Sequence, residues 1–220
     1  MIKSLWVGLP ARFVFSDDRK RYKDQWMALR GYCDFWQTRS DRVSDIRKGN
    51  GDMPKKPKVA VIMGSDSDFP IIEGCLKILD DFGIETRVSV CSAHRTPDKA
   101  AQLARNAESD GFDVIIAAAG KAAHLPGVLA AYTVLPVIGL PVKSSTLDGL
   151  DSLLSIVQMP SGVPVATVAI NSGENAALLA VQIMGGAYPE LRSRMHGYKQ
   201  QMAEAVEKKD QQLQEKLKGM

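Results

Sequence analysis

From Lys58 onward the chain alternates short β-branched runs with longer amphipathic stretches, and that alternation narrows its fold more than any other feature. KVAVIM (58–63), ETRVSVC (85–91), DVIIAAA (113–119), LPVIGL (135–140) and VPVATVAI (163–170) read as strands. Most lack polar alternation, as expected of strands covered on both faces. Helix-like segments at about 70–82, 97–110 and 125–133 separate the first four strands, and another at about 173–185 follows the fifth. Thr96-Pro97 opens the second helix, with threonine at the N-cap, proline at the first helical position and Asp98 in the first turn. Strand and helix in strict alternation predict a central parallel sheet with right-handed crossovers and helices on both faces.

The flanks differ from this α/β region. After Tyr188-Pro189, residues 190–216 are rich in Glu, Gln, Lys and Arg, with Leu191, Met195, Met202, Ala205, Leu213 and Leu217 as sparse apolar positions. That pattern predicts a long C-terminal helix, mostly exposed, which gains stability by packing on a neighbouring subunit; the alternative is a simple solvated tail. Residues 1–52 carry 11 Lys and Arg against seven Asp and Glu, a net of +4; the rest of the chain carries 17 against 18, a net of −1. The same segment holds Trp6, Trp26 and Trp36, eight of the 14 aromatic residues and no glutamate. The expected organisation is an N-terminal extension over 1–52, an α/β domain over 53–188 and a C-terminal helix over 189–220. Met53, followed by Pro-Lys-Lys-Pro-Lys, reads as an ordinary start, so the extension is a non-native start, a disordered tail or a basic-aromatic appendage for an anionic partner.

Several classes drop out. Cys33, Cys75 and Cys91 form neither an even framework nor a C-x-x-C pair, and His94, His124 and His196 share no metal-ligand spacing, so no structural metal or disulfide scaffold is expected and a reducing cytoplasm fits. The uncharged stretches 122–142 and 152–173 are interrupted by Pro126, Pro136 and Pro141, and by Pro160 and Pro164, which argues against membrane spans. With the basic surplus confined to the extension, the α/β region shows no nucleic-acid footprint.

In an open parallel sheet, ligands bind at the carboxyl ends of the strands. The first such loop is Gly64-Ser65-Asp66-Ser67-Asp68, where hydroxyls and a helix start suit an anion and a carboxylate suits a ribose; Asp68 is equally explicable as a plain N-cap. It is neither a Walker A loop nor a G-x-G-x-x-G fingerprint. The second, Cys91-Ser92-Ala93-His94-Arg95-Thr96-Pro97, sets a near-neutral proton carrier beside a permanent anion-binding fork, although His94 taken alone also reads as a satisfied loop residue. The third runs from Gly120 through Lys121, Ala122, Ala123 and His124 to Leu125, Pro126 and Gly127. Together the three loops predict a pocket for a small phosphorylated ligand with proton-transfer chemistry.

The strings GSDSD, SAHRTPDK, AAHLPG, PVIGLPV, DSLLSIVQMPSGVPVATVAI and NAALLA, in this order and spacing, resemble the phosphoribosylaminoimidazole carboxylase family, which includes the 5-(carboxyamino)imidazole ribonucleotide mutases of bacterial purine biosynthesis. The resemblance runs from Lys58 to about Arg194. It implies a flavodoxin-like three-layer αβα sandwich, a homo-octamer with sites between subunits, a nucleotide substrate, and neither metal nor organic cofactor. His94 matches the family's general acid/base. Ser65, Asp68, Ser92 and Arg95 match residues holding ribose and phosphate, and Gly120, Lys121, Ala122, His124 and Leu125 lie in the loop lining the imidazole and carboxylate. One departure is Lys121, where the mutases most often carry glycine. Animal-type relatives that carboxylate with free CO2 carry a basic residue at the comparable place, so Lys121 leaves mutase and carboxylase open while Ala122, Ala123 and His124 favour the mutase. Lys121 also reads as a lysine that merely reaches solvent. The rival of another class is a non-catalytic flavin or nucleotide binder on the same fold.

Overall fold

A computed structural model describes residues 55–219, and the expectations for 1–52 lie outside them. The chain divides between Pro54 and Lys55, and the described residues belong to the second unit. Five strands form its sheet: β1 (Lys58–Met63), β2 (Glu85–Val90), β3 (Val114–Gly120), β4 (Val137–Val142) and the two-residue β5 (Ala166–Thr167). The helices are α1 (Phe69–Asp81), α2 (Pro97–Asn106), α3 (Leu125–Tyr132), α4 (Leu150–Val157), α5 (Gly173–Met184) and α6 (Pro189–Lys218).

All pairings are parallel, in the order β2-β1-β3-β4-β5. The chain moves one way from β1 to β2 and the other way from β2 to β3, so right-handed crossovers must put α1 on one face and α2 on the other. The cores obey this. Val59, Val61, Met63, Val114, Ile116, Ile138 and Leu140 pack with Ile72, Leu79, Ala176, Ala180 and Val181 of α1 and α5. Their neighbours in the strands, Ala60, Ile62, Ile115, Ala117 and Val137, pack with Ala100, Ala104, Leu129 and Ile156 of α2, α3 and α4. The period-2 alternation of strand side chains thus feeds two apolar cores, one on each face. Gly139 lets α4 approach the sheet, because a Cβ there would strike the Ile156 side chain.

Three local outcomes differ from expectation. Thr96 occupies the N-cap of α2 without capping it: its Oγ1 accepts from Ser92 N–H at 3.1 Å and donates to the Ser92 carbonyl at 2.9 Å. The fifth strand shrinks from 163–170 to two residues, paired with β4 only at Ile138–Ala166 and Gly139–Thr167. And α4 has no separate place in the sequence pattern. It buries Ser152 and Ile156 but exposes Leu150, Leu154 and Val157, the reverse of an ordinary amphipathic helix. The C-terminal helix forms, buries Leu191 and Met195 against the core, and leaves Met202, Val206, Leu213 and Leu217 exposed. Among the described residues no helix is long and apolar enough to cross a membrane.

Candidate active site

The strand order reverses direction between β1 and β3, and a 610 Å3 cavity opens there at the carboxyl ends of the strands. Its lining includes every residue the sequence singled out: Ser65, Asp68, Ser92, His94, Arg95, Gly120, Lys121, Ala122, His124 and Leu125. Ser67 and the loop after β4, Lys143-Ser144-Ser145, complete the wall. The β4 loop was missed because it carries no histidine or arginine, although the rule that pointed to the other three loops applies to it equally.

After β1 the chain turns through a short 3-10 helix, Asp66–Asp68. Ser65 is its N-cap: the hydroxyl accepts from Ser67 N–H at 3.3 Å, and the Asp68 carboxylate accepts from Ser65 N–H at 3.2 Å, a reciprocal capping box. Asp68 also stands at the N-cap position of α1 but makes no side-chain cap bond to that helix, so it is not a plain N-cap; its carboxylate is turned back to Ser65, and it lines the cavity while only 8% exposed. Burial pushes its carboxyl above the usual value of 3.8, opposed by the Ser65 and Ser67 hydrogen bonds and reinforced by Asp66.

The β2 loop is a closed turn. Thr96 N–H donates to the Ser92 carbonyl at 2.8 Å, while Arg95 sends its backbone N–H and its Nε–H to Ser92 Oγ at 3.3 and 3.4 Å. The guanidinium is thereby aimed by Ser92, and among the described residues no carboxylate pairs with it. Its terminal N–H groups are left for a ligand anion.

His94, from the β2 loop, and His124, just before α3, meet across the cavity: His94 Nε2 lies 2.8 Å from His124 Nδ1, with ring planes at 75°. That contact is a hydrogen bond only if one nitrogen carries the proton and the other a lone pair, so the rings hold a single proton between them at this contact. The β3 loop beside them contains the one departure from glycine. Lys121 has φ of +56°, in the left-handed region where a Cβ is crowded.

Two imidazoles in hydrogen-bond contact beside a guanidinium that no carboxylate among the described residues pairs are more than a passive binder needs, and the combination fits the class of α/β enzymes able to carry out acid–base chemistry on a small anionic substrate. Comparison with known proteins narrows the class: residues 58–205 match the family model described as AIR carboxylase, and the chain belongs to that family. It is 55% identical over 161 residues, 73% of this chain and 91% of the relative, to an N5-carboxyaminoimidazole ribonucleotide mutase from Pyrococcus horikoshii. It is 54% identical over 70% of its own length to a chloroplastic phosphoribosylaminoimidazole carboxylase from Vigna aconitifolia, of which it spans 28%. A crystal structure of Treponema denticola PurE superposes with a TM-score of 0.65 at 30% identity, covering 72% of this chain and 99% of that one. The flavodoxin-like fold expected from the resemblance is the fold observed, with the order 2-1-3-4-5.

Proposed function

We propose that the chain converts 5-(carboxyamino)imidazole ribonucleotide to 4-carboxy-5-aminoimidazole ribonucleotide by intramolecular carboxyl transfer in purine biosynthesis. The observation that carries this reading is the 2.8 Å contact between His94 and His124 inside the cavity, in a chain whose close relatives bear the mutase name.

The chemistry needs a proton twice. His94 delivers it to the carbamate nitrogen as the N–CO2 bond breaks, leaving CO2 and the neutral amine. The enamine-like ring carbon four then attacks CO2, forming the C–C bond, and His94 takes the proton from that carbon, restoring the aromatic ring. Proton release and return balance within one turnover, which suits a single group acting alternately as acid and base. His124, hydrogen-bonded to His94, fixes the face His94 presents. Ser65, Ser92 and Arg95 hold the phosphate, and Asp68 accepts from a ribose hydroxyl. Gly120, Lys121, Ala122 and Leu125 enclose the imidazole and the CO2. In this scheme the chain's own side chains suffice, without metal or organic cofactor.

The assembly is a cytoplasmic homo-octamer. Its support is apolar surface without cover in the single chain: Leu150, Leu154 and Val157 on α4, and the stripe Met202, Val206, Leu213 and Leu217 on α6, each close to half exposed or more. The start of the working enzyme is Met53, ahead of the family match at 58, with 189–220 as the intersubunit helix. A second reading, carboxylation by free CO2, draws on Lys121 and on relatives named as carboxylases. The deciding experiment supplies purified enzyme with the N-carboxylated nucleotide at low CO2. Formation of the C-carboxylated product supports the mutase; product only at high bicarbonate from the uncarboxylated nucleotide overturns it.

A further inference from the structure

The β4 loop forms one wall of the cavity but carries none of its catalytic or phosphate-binding side chains. It is held unusually firmly for a loop. Lys143 N–H donates to Asn171 Oδ1 at 2.8 Å, and the buried Ser152 hydroxyl lies 2.8 Å from the Val142 carbonyl and 2.7 Å from that of Gly149, its one hydrogen serving the two. Between these anchors stands Ser144, 6% exposed although it lines the cavity. Its hydroxyl lies 2.9 and 2.8 Å from the two carboxylate oxygens of Asp151, in the first turn of α4. Its oxygen in turn receives Thr146 N–H at 3.3 Å and Leu147 N–H at 3.5 Å.

A hydroxyl has one hydrogen, and here it is committed to Asp151. Ser144 is therefore a hub and not a donor to substrate, while its neighbours Lys143 and Ser145 are exposed at the cavity wall. Strands β2 and β4 stand three positions apart in the sheet, roughly 14 Å at the usual strand spacing. Strand β4 is the neighbour of β3, whose loop is given the imidazole and the carboxylate, so the β4 loop stands on the base side of the nucleotide.

We propose that Asp151 is a positioning residue: through Ser144 it fixes the loop so that Ser145 contacts the base end of the substrate, Lys143 being held by Asn171 and Asp148. This rests on the mutase reading for the identity of the substrate, but not for the mechanical claim. Replacing the carboxylate with a neutral amide exchanges a charge-assisted hydrogen bond, its one hydrogen shared between two carboxylate oxygens, for an ordinary one.

The test combines Asp151→Asn, Ser144→Ala, the double variant and Ser144→Thr in the full chain. Each is measured for mutase kcat and KM, for binding of 5-aminoimidazole ribonucleotide by calorimetry, and for urea midpoint. Asp151→Asn and Ser144→Ala are each expected to raise KM and weaken calorimetric binding about tenfold with kcat changed less. The double variant should be no worse than the poorer single, because both act on one contact, and Ser144→Thr should restore binding by keeping the hydroxyl. Additive losses, or unchanged binding in folded Asp151→Asn, would overturn the proposal, as would a midpoint shift with no KM change. Wild-type protein that binds the nucleotide but fails to turn over the N-carboxylated substrate would reject the mutase reading alone, and calorimetry would still decide the role of Asp151.

Discussion

Lys121 offers the sharpest prediction because two of its consequences separate cleanly. Its φ of +56° costs a side chain bearing a Cβ about 1–2 kcal/mol relative to the right-handed region. Lys121→Gly removes that cost but adds about 0.4–1 kcal/mol of unfolded-state entropy, for a net gain of about 0.5–1 kcal/mol. Lys121→Ala keeps the Cβ and hence the strain, so its stability stays near that of the parent. An exposed lysine replaced by glycine ordinarily destabilises, so the sign is diagnostic. Urea midpoints at fixed protein concentration, which holds any assembly equilibrium constant, are expected to rank glycine above alanine and lysine. A glycine variant no more stable than the alanine variant refutes the strain argument.

Both variants lose the ammonium equally, so their kinetics should match each other whatever their stabilities. Exposed at the cavity wall, the charge is screened and worth about 1 kcal/mol or less to a substrate carboxylate, at most a fivefold rise in KM. Reaction type is expected to stay the same: product from the N-carboxylated nucleotide without bicarbonate, with little entry of labelled CO2 from solution. Wild type that requires high bicarbonate, incorporates solution label freely and ignores the N-carboxylated substrate would make the chain a carboxylase.

Other expectations follow from the same geometry. His94→Asn keeps size and polarity but removes the proton carrier, so turnover in a direct assay should fall by about 10²–10⁴-fold, with the far-ultraviolet circular dichroism unchanged. Asp68 is held above its ordinary carboxyl value by burial, so the folded chain keeps a proton that the unfolded chain has lost. Its contribution to stability therefore declines as pH rises through the window that opens above the ordinary value of 3.8, and Asp68→Asn should flatten the slope of stability against pH there while raising KM. Deletion of residues 1–52 should leave light-scattering mass per subunit count and activity intact; dissociation to smaller oligomers or loss of turnover would make the extension a working element.

How far the residues spoke for themselves varied with what each element buries. β1, β3 and β4 were legible because both their faces are covered and their runs are almost wholly apolar. The ends of β3 moved by one residue and those of β4 by two, the latter since Pro136 stops the strand from starting at Leu135. β5 was overread: VPVATVAI has strand composition, but only Ile138 and Gly139 are partnered, and Pro164 limits the ladder before Ala166. α4 was invisible for a different reason. Its apolar residues point to solvent in the single chain and its hydroxyl and isoleucine point inward, so the usual sign of a helix, an apolar face toward the core, is inverted. The contents of three cavity loops were legible from histidine, arginine and small hydroxyl residues at strand ends. The fourth was not, because Lys143, Ser144 and Ser145 are unremarkable singly, and Ser144 gains meaning only through Asp151, seven residues away.

Backbone strain ties these loops together. Among the described residues, the non-glycine positions with positive φ are Lys121, Asp148 and Asn171, which follow β3, β4 and β5 at the carboxyl edge of the sheet. Asn171 and Asp148 are of the types that tolerate this conformation, and each is compensated locally. Asn171 holds the amide of Lys143 through its side-chain oxygen, and Asp148 pairs with the Lys143 ammonium at 3.0 Å, next to Gly149. Lys121 is not such a type, and no hydrogen bond or ion pair to its side chain is found among the described residues. Lys121 opens the turn that buries Ala123 in the core and carries His124 to 2.8 Å from His94. A lysine at this left-handed position adds a charge to the cavity at the expense of the ease with which glycine would make the turn.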